Sequence, residues 1–167
     1  MNDDTREREA ARRKRRRAIG RWARRAVTAL GGVAIAAGLE RRLRQIVPSV
    51  VAVAVPESGA GRLSAVVAID PREQADARTV ALAALEAVNL VKLVTLVDAD
   101  VDPWDDAAVA HAVATRVHFD RDLHVVPGMR ADRAEPLERG GAIAKLAIDA
   151  TRKPGDRDDW TPAEPPA

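Results

Sequence analysis

The chain has no cysteine, and only 2% of its 167 residues are aromatic. The missing thiols exclude disulfides, thiolate zinc sites and cysteine nucleophiles, and they suit a reducing compartment. With so few aromatic rings there are few platforms on which bases or sugars could stack. Serines are scattered at Ser49, Ser58 and Ser64, and none lies in a nucleophile elbow. No apolar run reaches the length of about 20 residues that a bilayer requires. The longest uncharged stretch, Ala26 to Leu39, is rich in Ala and Gly. It is followed at once by Glu40-Arg41-Arg42-Leu43-Arg44 rather than by a small-residue cleavage site. The expectation is a cytoplasmic protein in which this stretch forms an apolar helix, packed on its own domain or on a partner. Leu39, Leu43 and Ile46/Val47 continue that face at helical spacing.

What is present is apolar matter of small size. Hydrophobic residues make up 47% of the chain, mostly Ala, Val and Leu. A chain this long buries about two-thirds of its unfolded surface. The formal net charge of +2 conceals an asymmetry. Met1 to Val47 holds 14 Lys/Arg against 5 Asp/Glu, whereas Pro48 to Ala167 holds 13 against 20. The basic excess sits in Arg6 to Arg25, which includes ARRKRRR and RWARR. Its composition suits a basic helix, with contact to nucleic acid, to anionic lipid or to nothing at all as its open readings. The remainder is acidic and poorly suited to nucleic acid. Three regions result: an Arg-rich arm with its apolar helix (1–45), a folded domain (46–160) and a tail (161–167).

Within the domain, Ser49–Val55 and Leu63–Ile69 read as strands around a PESGAG turn, an antiparallel hairpin. Arg72–Val88 reads as a helix, and the nearly all-apolar Leu90–Val97 as a strand buried on both faces. Asp102-Pro103 opens a helix running to about Val117. Leu123–Val126 is a short strand stopped by Pro127-Gly128. The fold class is α/β (α+β), a single mixed sheet in the order β-β-α-β-α-β covered by helices. Beyond Gly128, MRADRAEPLERGG reads as a polar loop, and Ala142–Ala150 as a short, mildly apolar segment. Arg139-Gly140-Gly141 would then open a short helix able to hold an anion.

Few residues invite chemistry. Asp98, Asp100 and Asp102 alternate as in calcium loops, but Pro103 and Val109 stand where an EF-hand needs Gly and Glu. A strand end followed by a helix cap is the simpler reading. His111, His118 and His124 lack a carboxylate at ligand spacing. Thr115, Arg116, Asp120, Arg121 and Asp122 are dense enough in charge to cross-pair and fix a helix-to-strand connection. None of these is a catalytic constellation.

Three separated segments, VKLVTLVDADVD, ATRVHFDRD and AKLAIDATRKPGDRDDW, resemble the UbiD family of decarboxylases. The likeness extends to LRQIVPSVVAVAVPESGAGRLSAVVAI and runs from about Leu43 to Trp160, where it is similar to the C-terminal domain of those enzymes. The resemblance implies reversible, non-oxidative decarboxylation of aromatic or unsaturated carboxylic acids. It implies prenylated FMN held with a divalent metal and potassium in a preceding domain, together with a Glu-Arg-Glu catalytic set. No stretch of this chain corresponds to that domain. The resemblance therefore implies no catalytic, cofactor-binding or metal residue here, and a flavin-binding partner chain. The resemblance implies that the C-terminal domain closes over the active site and contributes to oligomer contacts. On matching positions, Asp98, Asp100, Asp102, Thr115, Arg116, Asp120, Arg121 and Asp122 are implied to shape the domain, and Asp149 and Thr151 to close it. Two departures stand out. The family carries a Gly-Ser-Ser-Leu-Asp-Pro-like loop where this chain has Met129–Gly141, and the Arg-rich arm stands where the flavin domain would be.

Overall fold

β-Branched runs build the first two strands, β1 (Val50–Ala54) and β2 (Ser64–Ile69), which pair antiparallel across the expected turn. The computed structural model describes residues 30–70, 74–133 and 135–153. The Arg6–Arg25 arm, Arg72, the tail and Trp160 lie outside the described residues. Helix α1, described over residues 30–46, precedes β1. Helix α2 (Gln74–Ala87) carries the chain from β2 to a parallel β3 (Leu93–Asp98). Helix α3 (Asp106–Arg116) leads to β4 (Leu123–Arg130), and β5 (Ala142–Ala150) follows.

The sheet order is β1-β2-β3-β5-β4, with β5 parallel to β3 and antiparallel to β4. Both faces are covered. Ala65, Val67 and Ile69 of β2 point to the side of α1 and α2, where Ala36, Leu39, Leu43, Val80 and Leu85 pack against them. Val66 and Ala68 point to the other side, with Val101, Ala112 and the partly buried Val109 and Val113 of α3. Alternate residues of one strand thus serve two cores, which is why β2 and β3 read as unbroken apolar runs.

Helix α1 lies close to the sheet. A Cβ added at Gly32 would come within 2.6 Å of the Val55 carbonyl oxygen, so glycine permits this approach. Leu39, Leu43 and Val47 are buried while Ile46 faces solvent, which settles the inward stripe. The outer edge of β1 is closed by the helix's own side chains. Arg44 donates from Nε to the Val50 carbonyl at 3.0 Å and from Nη2 to the Val51 carbonyl. Glu40 Oε2 accepts from the Val53 N–H at 3.3 Å, and Glu40 and Arg44 pair at 2.7 Å.

Three sequence expectations change. The 142–150 segment is a nine-residue strand placed between two others, not a short helix. β4 continues past Pro127-Gly128 to Arg130, because the register shift between Val126 and Met129 absorbs both residues in a bulge. Proline is tolerated there because β4 is an edge strand. Asp105, not Asp102, caps α3, accepting from the Ala107 and Ala108 N–H groups. Asp102 instead accepts from the Trp104 N–H in the turn before it.

Candidate functional site

β3 and β5 run side by side in parallel and end at the same rim of the sheet. In open α/β sheets that rim is where ligands are held. β3 delivers Asp98 there, and β5 delivers Asp149 with Thr151 just beyond it. Helix α3 arrives with Arg116 in its last turn. Arg116 Nη1 donates to Asp98 Oδ2 at 2.7 Å and reaches Asp100 at 3.4 Å. Asp98 Oδ2 also accepts from the Arg152 N–H at 2.9 Å, and the Arg152 guanidinium lies 3.0 Å from Asp100. Arg116 therefore turns back onto β3 rather than toward Asp120 or Asp122.

Asp122 is the buried centre of a second group. Its carboxylate accepts from the His118 N–H at 2.7 Å and from Arg121 Nε at 3.1 Å, with Lys153 Nζ at 3.5 Å. Its carbonyl accepts from the Asp149 N–H at 2.9 Å, joining the start of β4 to the end of β5. Asp149 Oδ1 accepts from the Thr151 N–H and hydroxyl and lies 3.2 Å from Lys153 Nζ. Lys153 further donates to the Asp149 and Thr151 carbonyls at 2.7 and 2.8 Å.

The structure thus brings together Asp98, Asp100, Arg116, Arg121, Asp122, Asp149 and Thr151. It leaves Asp102 in its turn, and Thr115 bonded back along α3 to the His111 carbonyl at 2.8 Å. Asp120 stands exposed beside the His118 ring at 3.0 Å. The His118 hydrogen bond, a backbone N–H and the nearby positive charge hold its carboxyl below the usual range. A general acid near neutral pH needs the opposite displacement.

The corner is a clamp whose cations are already answered by carboxylates. A flavin phosphate would have to displace one of those carboxylates, so these residues do not fit the cofactor that the family resemblance implies. Among the described residues no three His, Asp or Glu side chains converge as a metal would need.

A further polar group at the other end of the strands escaped the sequence reading. Lys145 on β5 is 2% exposed, and its Nζ donates to the Leu85 and Val88 carbonyls at 2.8 and 3.3 Å, at the end of α2. Burial pushes its pKa down. Lys92 Nζ lies 3.0 Å from Oε1 of Glu135, which also accepts from the Leu137 N–H; Glu135 Oε2 is buried without a partner. The signal available for Lys145 was a lone lysine inside the apolar run AIAKLAI.

Comparison with known proteins is consistent across sequence and structure. Residues 28–150 match the model of the 3-octaprenyl-4-hydroxybenzoate carboxy-lyase C-terminal domain. The anhydromevalonate phosphate decarboxylase of Aeropyrum pernix is 35% identical over 116 residues, covering 70% of this chain and 26% of that protein. The gallate decarboxylase of Lactiplantibacillus plantarum is 33% identical over 136 residues, 73% of this chain and 28% of that one. The UbiD-class enzyme HmfF from Pelotomaculum thermopropionicum, solved in complex with FMN, superposes with a TM-score of 0.75 at 32% identity. That match covers 83% of this chain and 32% of HmfF. The chain spans about a quarter of the length of the curated relatives it matches.

Proposed function

Because the chain belongs to the UbiD carboxy-lyase family through its C-terminal domain, we propose that it is the C-terminal component of a UbiD-type decarboxylase. It completes, in the cytoplasm, a partner chain that holds prenylated FMN with a divalent metal and potassium. The reaction of the assembled enzyme is non-oxidative decarboxylation of an aromatic or unsaturated carboxylic acid. One observation carries this reading. A family domain is present with its strand ends clamped by Arg116, Asp122 and Lys153, yet it corresponds to only 26% of a decarboxylase relative. A domain whose strand-end charges are paired with one another contributes shape and closure, while acid, base and flavin come from elsewhere.

The test is co-expression with a UbiD-type core lacking its own C-terminal domain. The expected result is a stable complex with flavin absorbance and CO2 release from a panel of unsaturated acids. Failure to form a complex with any such core sinks the reading.

The charge asymmetry favours a second reading, a non-catalytic assembly module whose Arg6–Arg25 arm contacts a polyanion. Binding to RNA or anionic vesicles would then fall steeply with salt. It would also disappear when residues 1–25 are removed. No helix among the described residues is long and apolar enough to cross a membrane.

A further inference from the structure

Over residues 30–39 helix α1 is apolar on both of its sides, while its later turns carry Glu40, Arg41, Arg42, Arg44 and Gln45. Ala36, Leu39, Leu43 and Val47 face the core. On the opposite side Leu30 is 71% exposed and Val33 55%, with Ala34 and Ala37 also exposed beside them. These four fall at i, i+3, i+4 and i+7, which makes them one stripe rather than scattered surface residues. A helix that is apolar all round is normally covered all round. The stripe runs on into a shallow groove of about 460 Å³ lined by Ala37, Glu40, Arg41, Arg44 and Gln45. Apart from Ile46 at the end of α1, the other exposed large apolar side chains, including Phe119, Val125 and Leu137, stand on other parts of the chain.

We propose that the outer face of α1 is the dock for the flavin-binding core chain. The proposal rests on the decarboxylase-component reading and names the surface that reading leaves open. Two observations select this occupant. The family match starts at residue 28, next to the helix, and the matched domain is the C-terminal one. The rest of a full-length relative therefore precedes α1, which makes this helix the element nearest the junction with that body. The second is charge. Arg41 and Arg42 stand exposed at the far end of the stripe, while Arg44 and Glu40 are occupied with β1. The complementary surface is an apolar furrow ending in carboxylates.

The full chain is mixed with a purified UbiD-type core lacking its own C-terminal domain. The double variant Leu30→Glu/Val33→Glu is expected to weaken binding at least about tenfold, because it places charge in a desolvated contact. Val125→Glu, on β4, should leave binding unchanged. The thermal melt of each variant reports its folding independently. Because the chain has no cysteine, Val33→Cys supplies a single thiol. A bifunctional reagent should cross-link that thiol to the core, and a thiol from Val125→Cys should give no adduct. If the wild-type chain binds no core, the component reading falls and takes the dock with it. If wild type binds but the double variant binds equally well and Val33→Cys gives no adduct, only the dock is wrong. Loss of self-association with core binding intact would make the occupant a second copy and overturn the proposal.

Discussion

Burying an ammonium among aliphatic side chains is costly unless its protons find acceptors, and Lys145 finds two carbonyls at the end of α2. Its folded pKa lies below the ordinary lysine value of 10.5. Between those two values the unfolded chain binds a proton that the folded chain has released. Stability therefore rises with pH in that window. Lys145→Met should remove this rise, seen as a urea midpoint that no longer climbs as pH approaches 10.5. Asp122 is buried for the opposite purpose, collecting the His118 N–H, Arg121 and Lys153. Asp122→Ala removes the acceptor of the His118 N–H and a carboxylate that Arg121 and Lys153 share, and should cost about 2–3 kcal/mol in chemical denaturation. At this scale the sequence named most members of the polar corner but not their pairings. Arg116 and Asp98 are 18 positions apart, and only the return of α3 across the sheet makes them neighbours. Asp102, Thr115 and Asp120 look equally eligible in sequence and make only local bonds.

Elements whose identity is fixed locally were legible. SVVAVAV and LSAVVAI carry their own strand preference, and DPWDD carries its own helix start, displaced by three residues to Asp105. β5 was not legible, because AIAKLAIDA is dominated by alanine, the strongest helix former. It is a strand because β3 and β4 offer hydrogen bonds on both of its sides. β4 misled for a different reason. Pro127-Gly128 usually ends a strand, but here Gly128 takes φ 69° inside a bulge. Gly128→Val forces a β-branched residue into that left-handed region and should cost about 1–2 kcal/mol, read as a lowered melting temperature. At the opposite edge, Arg44→Ala uncovers the Val50 and Val51 carbonyls. The expected outcome is a loss of about 1 kcal/mol. Light scattering that rises more steeply with concentration than that of the wild-type chain should accompany it, since an open edge recruits other strands.

For the whole molecule, composition separated a basic first 47 residues from an acidic remainder. Leu39, Leu43 and Val47 marked the inward face of α1 by their spacing, but composition left open whether that face met this domain or a partner, and the structure packs it on the sheet. The placement of β5 sets an order of events as the chain leaves the ribosome. β3 is synthesised some fifty residues before its neighbour β5, so β3 waits as an unpaired edge until nearly the whole described chain has emerged. Long-range pairings of this kind form late and slowly. A chain stopped at Gly141 would hold β1, β2 and β3 but could not bind β4 to them, because the connecting strand is missing. Such a product should expose the α2 side of the sheet, bind a hydrophobic dye strongly and fall to proteases. The 167-residue chain should resist both.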